Sequence, residues 1–401
     1  MPWTLVFVLT IYLPLLAINF YVGRKLLDAI TVLKGWSRKR VRQVLVGLLG
    51  FVNLLPVVFF AAYQLKGRVI VPEFAGDNLL VDLLLTYPFW ITLVITFQLF
   101  ILYVVADITK FWILRFFRTQ QEWWRKVEPR FVAGAFLVIL VYSGFRIYAD
   151  TWTVRIVEKE VHVPGSFSAL DGLRIVQVSD VQGDGRTTYE TMRRFVRRVN
   201  SLQPDLILFA GDLVTSGTKY VDSSASILGE LRSTYGTYAA IGDHDIFSSK
   251  SRVVASLVRN GIRVVEDSTV FLTVRSTPVA LTVVTYTYSQ RPTRDRLLHA
   301  SMGTDGAFEI FLVHQPAALL IDFACAKGYK LFLAGHTHGG GIAFGIPGLF
   351  LVAPATFESR FVSGFHKVGD MLVSVTNGLG FTLAPIRYHA PAEITMLKLK
   401  K

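Results

Sequence analysis

Four long apolar runs fill the first 150 residues, at about 3–22, 44–63, 79–106 and 131–148, and they constrain the fold more than anything else in the chain. Hydrocarbon offers a backbone no water to bond, so each segment must satisfy its own N–H and C=O groups, which selects the helix. About 20 residues of helix cross a bilayer core, and each run is near or above that length. The third is the longest and contains Pro88, which predicts a tilt or kink there. The first run has no basic segment before it and no clean small-residue cleavage site after it, so a retained helix is expected and not a removed signal peptide. Hydrophobic residues make up 52% of the chain and mean hydropathy is +0.45, too apolar for an ordinary water-soluble protein. Residues 1–150 are therefore expected to form a four-helix transmembrane region.

The net charge of +13 invites a nucleic-acid reading, but its distribution points elsewhere. Residues 1–150 hold 16 Lys and Arg against 8 Asp and Glu, and the excess is densest between the apolar runs. Arg24, Lys25, Lys34, Arg38, Lys39, Arg40 and Arg42 follow the first run. Lys110, Arg115, Arg118, Arg125, Lys126 and Arg130 follow the third. The second loop has only Lys66 and Arg68, offset by Glu73 and Asp77. The positive-inside rule puts the first and third loops in the cytoplasm. With four spans, the N-terminus and residues 151–401 then lie outside, as expected of a multi-pass protein of the cytoplasmic membrane with an extracytoplasmic catalytic domain. Basic loops also suit lipid headgroups, so membrane lipids are expected partners and nucleic acid is not. Asp82 and Arg146 flank apolar runs and read as interfacial. The buried ionisable groups that a transport path needs are not expected. Cys325 is the single cysteine, so no intramolecular disulfide forms.

From Thr151 the texture changes to short apolar strands alternating with amphipathic helices. Strands are expected at 173–181, 205–214, 236–242, 262–266, 270–274, 279–286, 308–313, 330–334, 371–376 and 392–399, and helices at 188–202, 249–260 and 317–326. Met192, Phe195, Val196 and Val199 recur at helical spacing, leaving Arg193, Arg194, Arg197 and Arg198 to water. Such alternation predicts an α/β domain with a large buried sheet system over 151–401.

Five of these strands end alike. Each apolar run leads at once into metal-capable residues: Asp180, Gln182 and Asp184; Gly211-Asp212; Gly242-Asp243-His244-Asp245; His314; and Gly335-His336-Thr337-His338. In layered α/β folds the carboxyl ends of strands open into one crevice. Five such ends would build a polynuclear metal site. Asp180-x-Gln182 and His336-x-His338 put alternate residues on one side of an extended segment, where two donors can serve one ion or two neighbours. Carboxylate and imidazole together suit Mn, Fe or Zn better than Mg or Ca.

The order of these motifs resembles the calcineurin-like metallophosphoesterases, whose signature runs Asp-x-His, Gly-Asp, Gly-Asn-His-Asp/Glu, a lone His and Gly-His-x-His. It holds from Ser179 to Gly340, and the match is closest to the membrane-associated branch carrying Gly-His-Thr-His-Gly-Gly and a later Gly-Leu-Gly, Pro-Ile-Arg and Pro-x-Glu-Ile. Here these are Gly335 to Gly340, Gly378-Leu379-Gly380, Pro385-Ile386-Arg387 and Pro391-Ala392-Glu393-Ile394. The resemblance covers about 240 residues. It implies an αββα sandwich holding two divalent metal ions. Asp180, Asp212 and His338 would hold the first, and Asp212 would bridge to a second held by Asp243, His314 and His336. His244 would stand near the leaving-group oxygen as general acid or phosphate-binding cation, oriented by Asp245. Two cations about 3.5–4 Å apart can share a hydroxide and clamp both oxygens of an in-line displacement.

Two positions depart from the signature. Gln182 replaces the first motif's His, and Asp243 replaces the third motif's Asn. Gln ligates through its amide oxygen as a weaker donor for these metals, while Asp243 adds charge to the second site, a pair of changes that favours Mn slightly. Asp184 is the other candidate for the missing ligand, although an Asp after a Gly turn more often caps a turn. Arg186 follows the same turn and is a candidate for meeting substrate phosphate, or a solvated loop residue. The expected function is hydrolysis of phosphomonoesters or phosphodiesters, with a lipid-linked or envelope ester as a fitting substrate. The alternative is a catalytically weak membrane sensor or scaffold that binds phosphate ligands. Protease added to intact spheroplasts should digest residues 151–401; full protection of that half would reverse the predicted orientation.

Overall fold

A computed structural model gives the structure of the chain and describes residues 3–66, 78–346, 350–381 and 384–401. The chain forms two compact units, Met1–Tyr148 and Ala149–Lys401.

The first unit is helical: α1 (Trp3–Lys34), α2 (Arg38–Val52), α3 (Leu54–Lys66), α4 (Tyr87–Phe116) and α5 (Gln121–Trp152), the last ending in the second unit. Among the described residues, Leu79–Phe116 and Arg118–Trp152 are long and apolar enough to cross a membrane. The pair α2 and α3, bent by 47°, makes a third if it is one span. The expected run 44–63 is interrupted at Asn53, whose Nδ2 donates to the Leu49 carbonyl at 2.8 Å and closes α2. Side chains of the first turns of α1 lie outside the described residues, as do Arg68, Glu73 and Asp77 of the expected second loop. Pro88 lies inside the continuous helical stretch Leu79–Phe116, one residue after the π-turn Asp82–Thr86, a local widening of the helix that accompanies its missing N–H. Phe20, Val141 and Phe145 point outward at 68%, 71% and 69% exposure, the inverse of a water-soluble bundle and the pattern of membrane association.

One expectation is corrected here. Lys25 on α1 pairs with Asp107 on α4 and, at 2.8 Å, with Glu128 on α5. Lys110 pairs with Glu128 at 2.5 Å, and the Tyr21 hydroxyl donates to Asp107 at 2.6 Å. The helices extend beyond the apolar runs, so Lys25 and Lys110, read as loop residues, face Asp107 and Glu128 between helices.

The second unit has two six-stranded sheets. Its strands in chain order are β1 (Val154–His162), β2 (Arg174–Val178), β3 (Leu206–Phe209), β4 (Thr237–Ala239), β5 (Arg263–Val264), β6 (Ser268–Val274), β7 (Thr277–Val284), β8 (Phe308–Val313), β9 (Leu331–Ala334), β10 (Phe344–Ile346), β11 (Phe350–Val352), β12 (Gly364–Val368), β13 (Met371–Val375) and β14 (Ala392–Lys400). One sheet runs β1-β14-β2-β3-β4-β5 and the other β12-β13-β9-β8-β7-β6, while β10 and β11 form a hairpin. From β2 to β5, and again across β7, β8, β9 and β13, neighbours are parallel.

Period-two alternation sorts each strand between two cores. Ile175, Leu206 and Leu208 meet Leu281, Ile310, Leu312 and Leu333 between the sheets. Val176, Ile207 and Phe209 face outward onto α6 (Tyr189–Ser201), α7 (Val221–Leu228) and α8 (Asp243–Arg259). Phe311, Phe332 and Val373 face the other way, onto α9 (Arg294–Ala300) and α10 (Ala318–Lys327). The layers are thus helix, sheet, sheet, helix. α8 begins at Asp243, where Gly242 serves as its N-cap and the Asp245 carboxylate accepts the Gly242 N–H at 3.0 Å, and its backbone leaves helical angles at Ser249 (φ 174°, ψ 94°), where the expected helix 249–260 starts. His244 and Asp245 therefore sit on the first turn of a helix and not in a loop.

Gln177 on β2 is fully buried and bridges the sheets. Its Nε2 donates to the Ala334 carbonyl at 2.8 Å, and its Oε1 accepts from the Ser374 hydroxyl at 2.7 Å. Gln177→Leu should destabilise the protein by about 1–3 kcal/mol, since it strands a buried hydroxyl and a buried carbonyl. Chemical denaturation checks this, and an unchanged midpoint would remove the bridge from the account.

Candidate metal centre

The ends of strands β2, β3, β8 and β9 and the start of α8, just after β4, deliver Asp180, Asp212, His314, His336 and Asp243 to one place, because parallel strands end on the same edge of each sheet. Asp180, Gln182, Asp212, Asp243, His314 and His338 are buried, and the His336 ring is 11% exposed at the rim. Asp180, Gln182, Asp212, His336 and His338 all have positive φ, between 50° and 71°. For residues other than glycine this region costs roughly 1–2 kcal/mol each. Five such residues among the predicted ligands mark a backbone bent to aim its side chains.

The donors fall into overlapping groups. Asp243, His314 and His336 form one, Asp180, Asp212 and His314 a second, and Asp212, Asp243 and His244 a third, each with its ligand atoms within 4.8 Å of one another. His314 Nε2 stands 2.8 Å from Asp243 Oδ1 and 3.4 Å from Asp212 Oδ2; His336 Nδ1 stands 3.1 Å from Asp243 Oδ1 and 3.2 Å from His314 Nε2. Donors held about 2.1 Å from one ion are about 3.0 Å apart in an octahedron and about 3.4 Å in a tetrahedron, so these spacings match a shared cation. A carbonyl oxygen can only accept, and His314 Nδ1 is 2.7 Å from the Ala210 carbonyl. Nδ1 therefore carries the proton, and in the neutral ring Nε2 offers its lone pair to the cluster.

Near Asp180, His338 Nε2 is 3.4 Å from Asp180 Oδ1. Burial and the Arg387 guanidinium hold His338 well below the usual imidazole range, so the ring is a neutral donor. Asp180 Oδ1 and Gln182 Oε1 are buried oxygens with no hydrogen-bond partner among the described residues. Gln182 Nε2 donates to Asp212 Oδ2 at 2.9 Å. Exchanging its amide ends would set an oxygen against a carboxylate, so the free atom is the oxygen. Two unpartnered buried oxygens beside an imidazole are the residue chemistry a divalent cation would complete.

Burial opposes ionisation of Asp243, but in the metal-free protein, where Asp243 raises both His314 and His336 and their protonated rings donate to it, those hydrogen bonds outweigh burial and hold the carboxyl below the carboxylate range. Burial, with Asp212 beside it, pushes Asp245 up to about 7 against three backbone donors.

The other predicted residues take definite places. Asp184 is a turn cap: Oδ1 accepts from the backbone of Arg186 and Thr187 at 2.7 Å, and Oδ2 accepts from the Thr215 hydroxyl at 2.9 Å. Arg186 is half-buried in that turn. The expected Asp245–His244 contact is replaced. His244 Nδ1 donates to the Thr215 carbonyl at 2.5 Å, while Asp245 accepts the N–H groups of Asp212, Leu213 and Gly242 at 2.8–3.0 Å. Asp245 therefore fixes the Asp212 loop to the start of α8, and its position three residues into the helix is the physical reason.

Sequence reasoning gave no role to Arg387, Tyr288 or Glu358. Arg387 is fully buried. It donates to the carbonyls of Asn377, Gly378, Gly380 and Ala390 at 2.5–3.2 Å, caging the loop that abuts Asp180. Its own backbone N–H donates to the Thr151 hydroxyl at 3.0 Å, and the His389 N–H donates to Asp150 Oδ2 at 2.7 Å. The Pro-Ile-Arg motif was the available signal for Arg387. Tyr288 and Glu358 lie in stretches with no pattern. Glu358 Oε2 is 3.1 Å from His336 Nε2 and accepts from the Tyr288 hydroxyl at 2.7 Å.

Residues 173–340 match the family model of the calcineurin-like phosphoesterases. The C-terminal part of the chain is accordingly a calcineurin-like metallophosphoesterase domain, a hydrolase acting on phosphoric ester bonds in a family that binds divalent metals. The chain is 29% identical over 272 residues to YkuE, an uncharacterized metallophosphoesterase of Bacillus subtilis, covering 64% of this chain and 89% of the relative. It is 27% identical over 296 residues to a transmembrane protein with metallophosphoesterase domain of Danio rerio, covering 69% and 66%. Over a shorter stretch of 93 residues it is 36% identical to LpxG, a UDP-2,3-diacylglucosamine pyrophosphatase of Chlamydia muridarum, covering 22% and 28%.

Gly378 has φ +65°, and a Cβ there would stand 2.6 Å from Asp180 Cβ. Gly378→Ala should displace Asp180 and lower the metal content of the purified protein. Elemental analysis alongside thermal unfolding checks this; unchanged metal content would show that the loop does not set Asp180.

Proposed function

We propose that the chain is a multi-pass membrane phosphoesterase that hydrolyses phosphomonoesters or phosphodiesters with two divalent ions, Mn, Fe or Zn. The observation that carries it is the convergence of Asp243, His314 and His336 at 2.8–3.2 Å, a spacing that calls for a shared cation. Asp180, Gln182 and His338 would hold the first ion. Asp243, His314 and His336 would hold the second, and Asp212 would serve both. When bound, the ions would supply Lewis acidity for the phosphoryl oxygens and a nucleophile at neutral pH.

The protein's own groups would do the remaining work. The Asp245 carboxylate would hold the Asp212 loop in register. Thr215, by accepting from His244 Nδ1, would leave Nε2 free to exchange a proton with the leaving-group oxygen. Arg186 would meet a phosphate oxygen at the rim. Residues 1–150 would anchor the domain, with the side outside the cytoplasm favoured by the loop charges. A lipid-linked or envelope phosphate ester is the fitting substrate class. The name of the LpxG relative supports a lipid-linked pyrophosphate, while the proposed orientation favours an ester available outside the membrane over a nucleotide-linked precursor made in the cytoplasm.

Purified full-length protein should bind transition metal and hydrolyse bis-p-nitrophenyl phosphate. Chelation should abolish hydrolysis, and Asp212→Asn should reduce it at least about a hundredfold, the equivalent of several kcal/mol of charge stabilisation. Less than stoichiometric metal together with no hydrolysis would overturn the enzyme reading. Gln182→His separates an adapted site from a decayed one: a large gain in rate marks decay, and no gain or a loss marks adaptation.

A further inference from the structure

The described ligand rings differ in how their outer nitrogens are held. His314 leans on a backbone carbonyl, which no side-chain substitution removes. His336 stands just past β9 at φ +71°, and its outer nitrogen meets side chains only. Nε2 lies 3.1 Å from Glu358 Oε2, 3.2 Å from the Tyr288 oxygen and 3.4 Å from Gln315 Nε2. Tyr288 gives its own proton to Glu358 at 2.7 Å, so its oxygen is free to accept. A bare Nε2 facing a carboxylate oxygen at 3.1 Å would be repelled, whereas an Nε2–H is shared favourably between the two oxygens. Gln315 is too distant to compete. The Tyr288 ring also packs edge-on against the His336 ring, 5.4 Å between centroids at 67°, and limits its rotation.

We propose that Glu358 and Tyr288 are positioning residues for His336, forming a latch that keeps the proton on Nε2 and turns Nδ1 towards Asp243 and His314. The inference rests on the two-ion reading above and concerns how one of its ligands is held. A carboxylate behind a ligating imidazole fixes the tautomer and raises the basicity of the inner nitrogen. The latch belongs to none of the five motifs. Glu358 follows the β10–β11 hairpin and the short turn Pro354–Phe357, and Tyr288 follows β7, where a Thr287–Gln290 turn closed by hydrogen bonds at 2.8 and 3.1 Å holds it. The Glu358 side chain is 44% exposed, so its removal leaves no buried void.

The test is a Mn2+ titration of the purified full-length chain in detergent, following free Mn2+ by electron paramagnetic resonance, with thermal unfolding as the fold control. The unsubstituted chain should show two classes of bound ion. Glu358→Ala should weaken one class about 10–100-fold and leave the other in place. Glu358→Gln, whose amide oxygen can still accept the Nε2–H, should recover part of that loss, and Tyr288→Phe should weaken the same class less. Two classes left unchanged by Glu358→Ala overturn the latch alone, as does an equal loss of both. Absence of Mn2+ binding by the unsubstituted chain overturns the latch together with the two-ion reading.

Discussion

Crowding of lone pairs governs this molecule. His314 Nδ1 is tied to the carbonyl of Ala210, so Nε2 is the nitrogen turned inward, and within 3.2 Å of it lie Asp243 Oδ1 and His336 Nδ1, all nearly shut off from water. Such an arrangement repels itself unless positive charge sits among the atoms, as protons in the metal-free protein or as a cation. The scaffold reads as the means of enforcing it. Parallel strands in both sheets aim their carboxyl ends at the same crevice. Five residues accept left-handed backbone angles to present their side chains, and Gln177 locks one sheet to the other just beneath Asp180. Folding energy from the three apolar cores offsets the backbone strain and the self-repulsion.

Much of this was legible in the residues. The motif order singled out Asp180, Asp212, Asp243, His314, His336 and His338, which the fold brings together, because five short apolar strands each followed by metal-capable side chains point to one crevice where a single such Asp would read as a turn cap. The alternation of Ile175 with Val176 and of Ile310 with Phe311 announced two-sided sheets. Boundaries were less legible. The stretch of α8 that precedes the kink at Ser249 was not expected, because its N-cap is Gly242, a residue with no side-chain signal, and its capping partner Asp245 reads equally well as the residue that orients His244. The bend between α2 and α3 turns on one residue, Asn53, within a run otherwise apolar enough to read as a single span.

What sequence could not reach were contacts made across long separations by residues without a pattern. Glu358 and Tyr288 are 70 residues apart, and nothing near either hints at the other. Thr215 displaced Asp245 as the partner of His244 because a loop carbonyl, which any residue could have supplied, lies on the right side of the ring. In the helical unit, Lys25 and Lys110 read as loop charges until helices longer than their apolar runs brought them against Asp107 and Glu128.

The last turn of α5 carries a consequence for dissection of the protein. Asp150 accepts the His389 N–H and Thr151 meets the backbone of Arg387, whose guanidinium cages the Gly378–Gly380 segment against Asp180. A soluble fragment cut at residue 151 would lose the Asp150 acceptor and leave Thr151 on a fraying terminus, loosening the clamp beside Asp180 while keeping every candidate metal-binding side chain. Weak metal binding by that fragment would then report the position of the cut and not the chemistry of the intact enzyme, whereas a cut one helical turn earlier would retain both contacts.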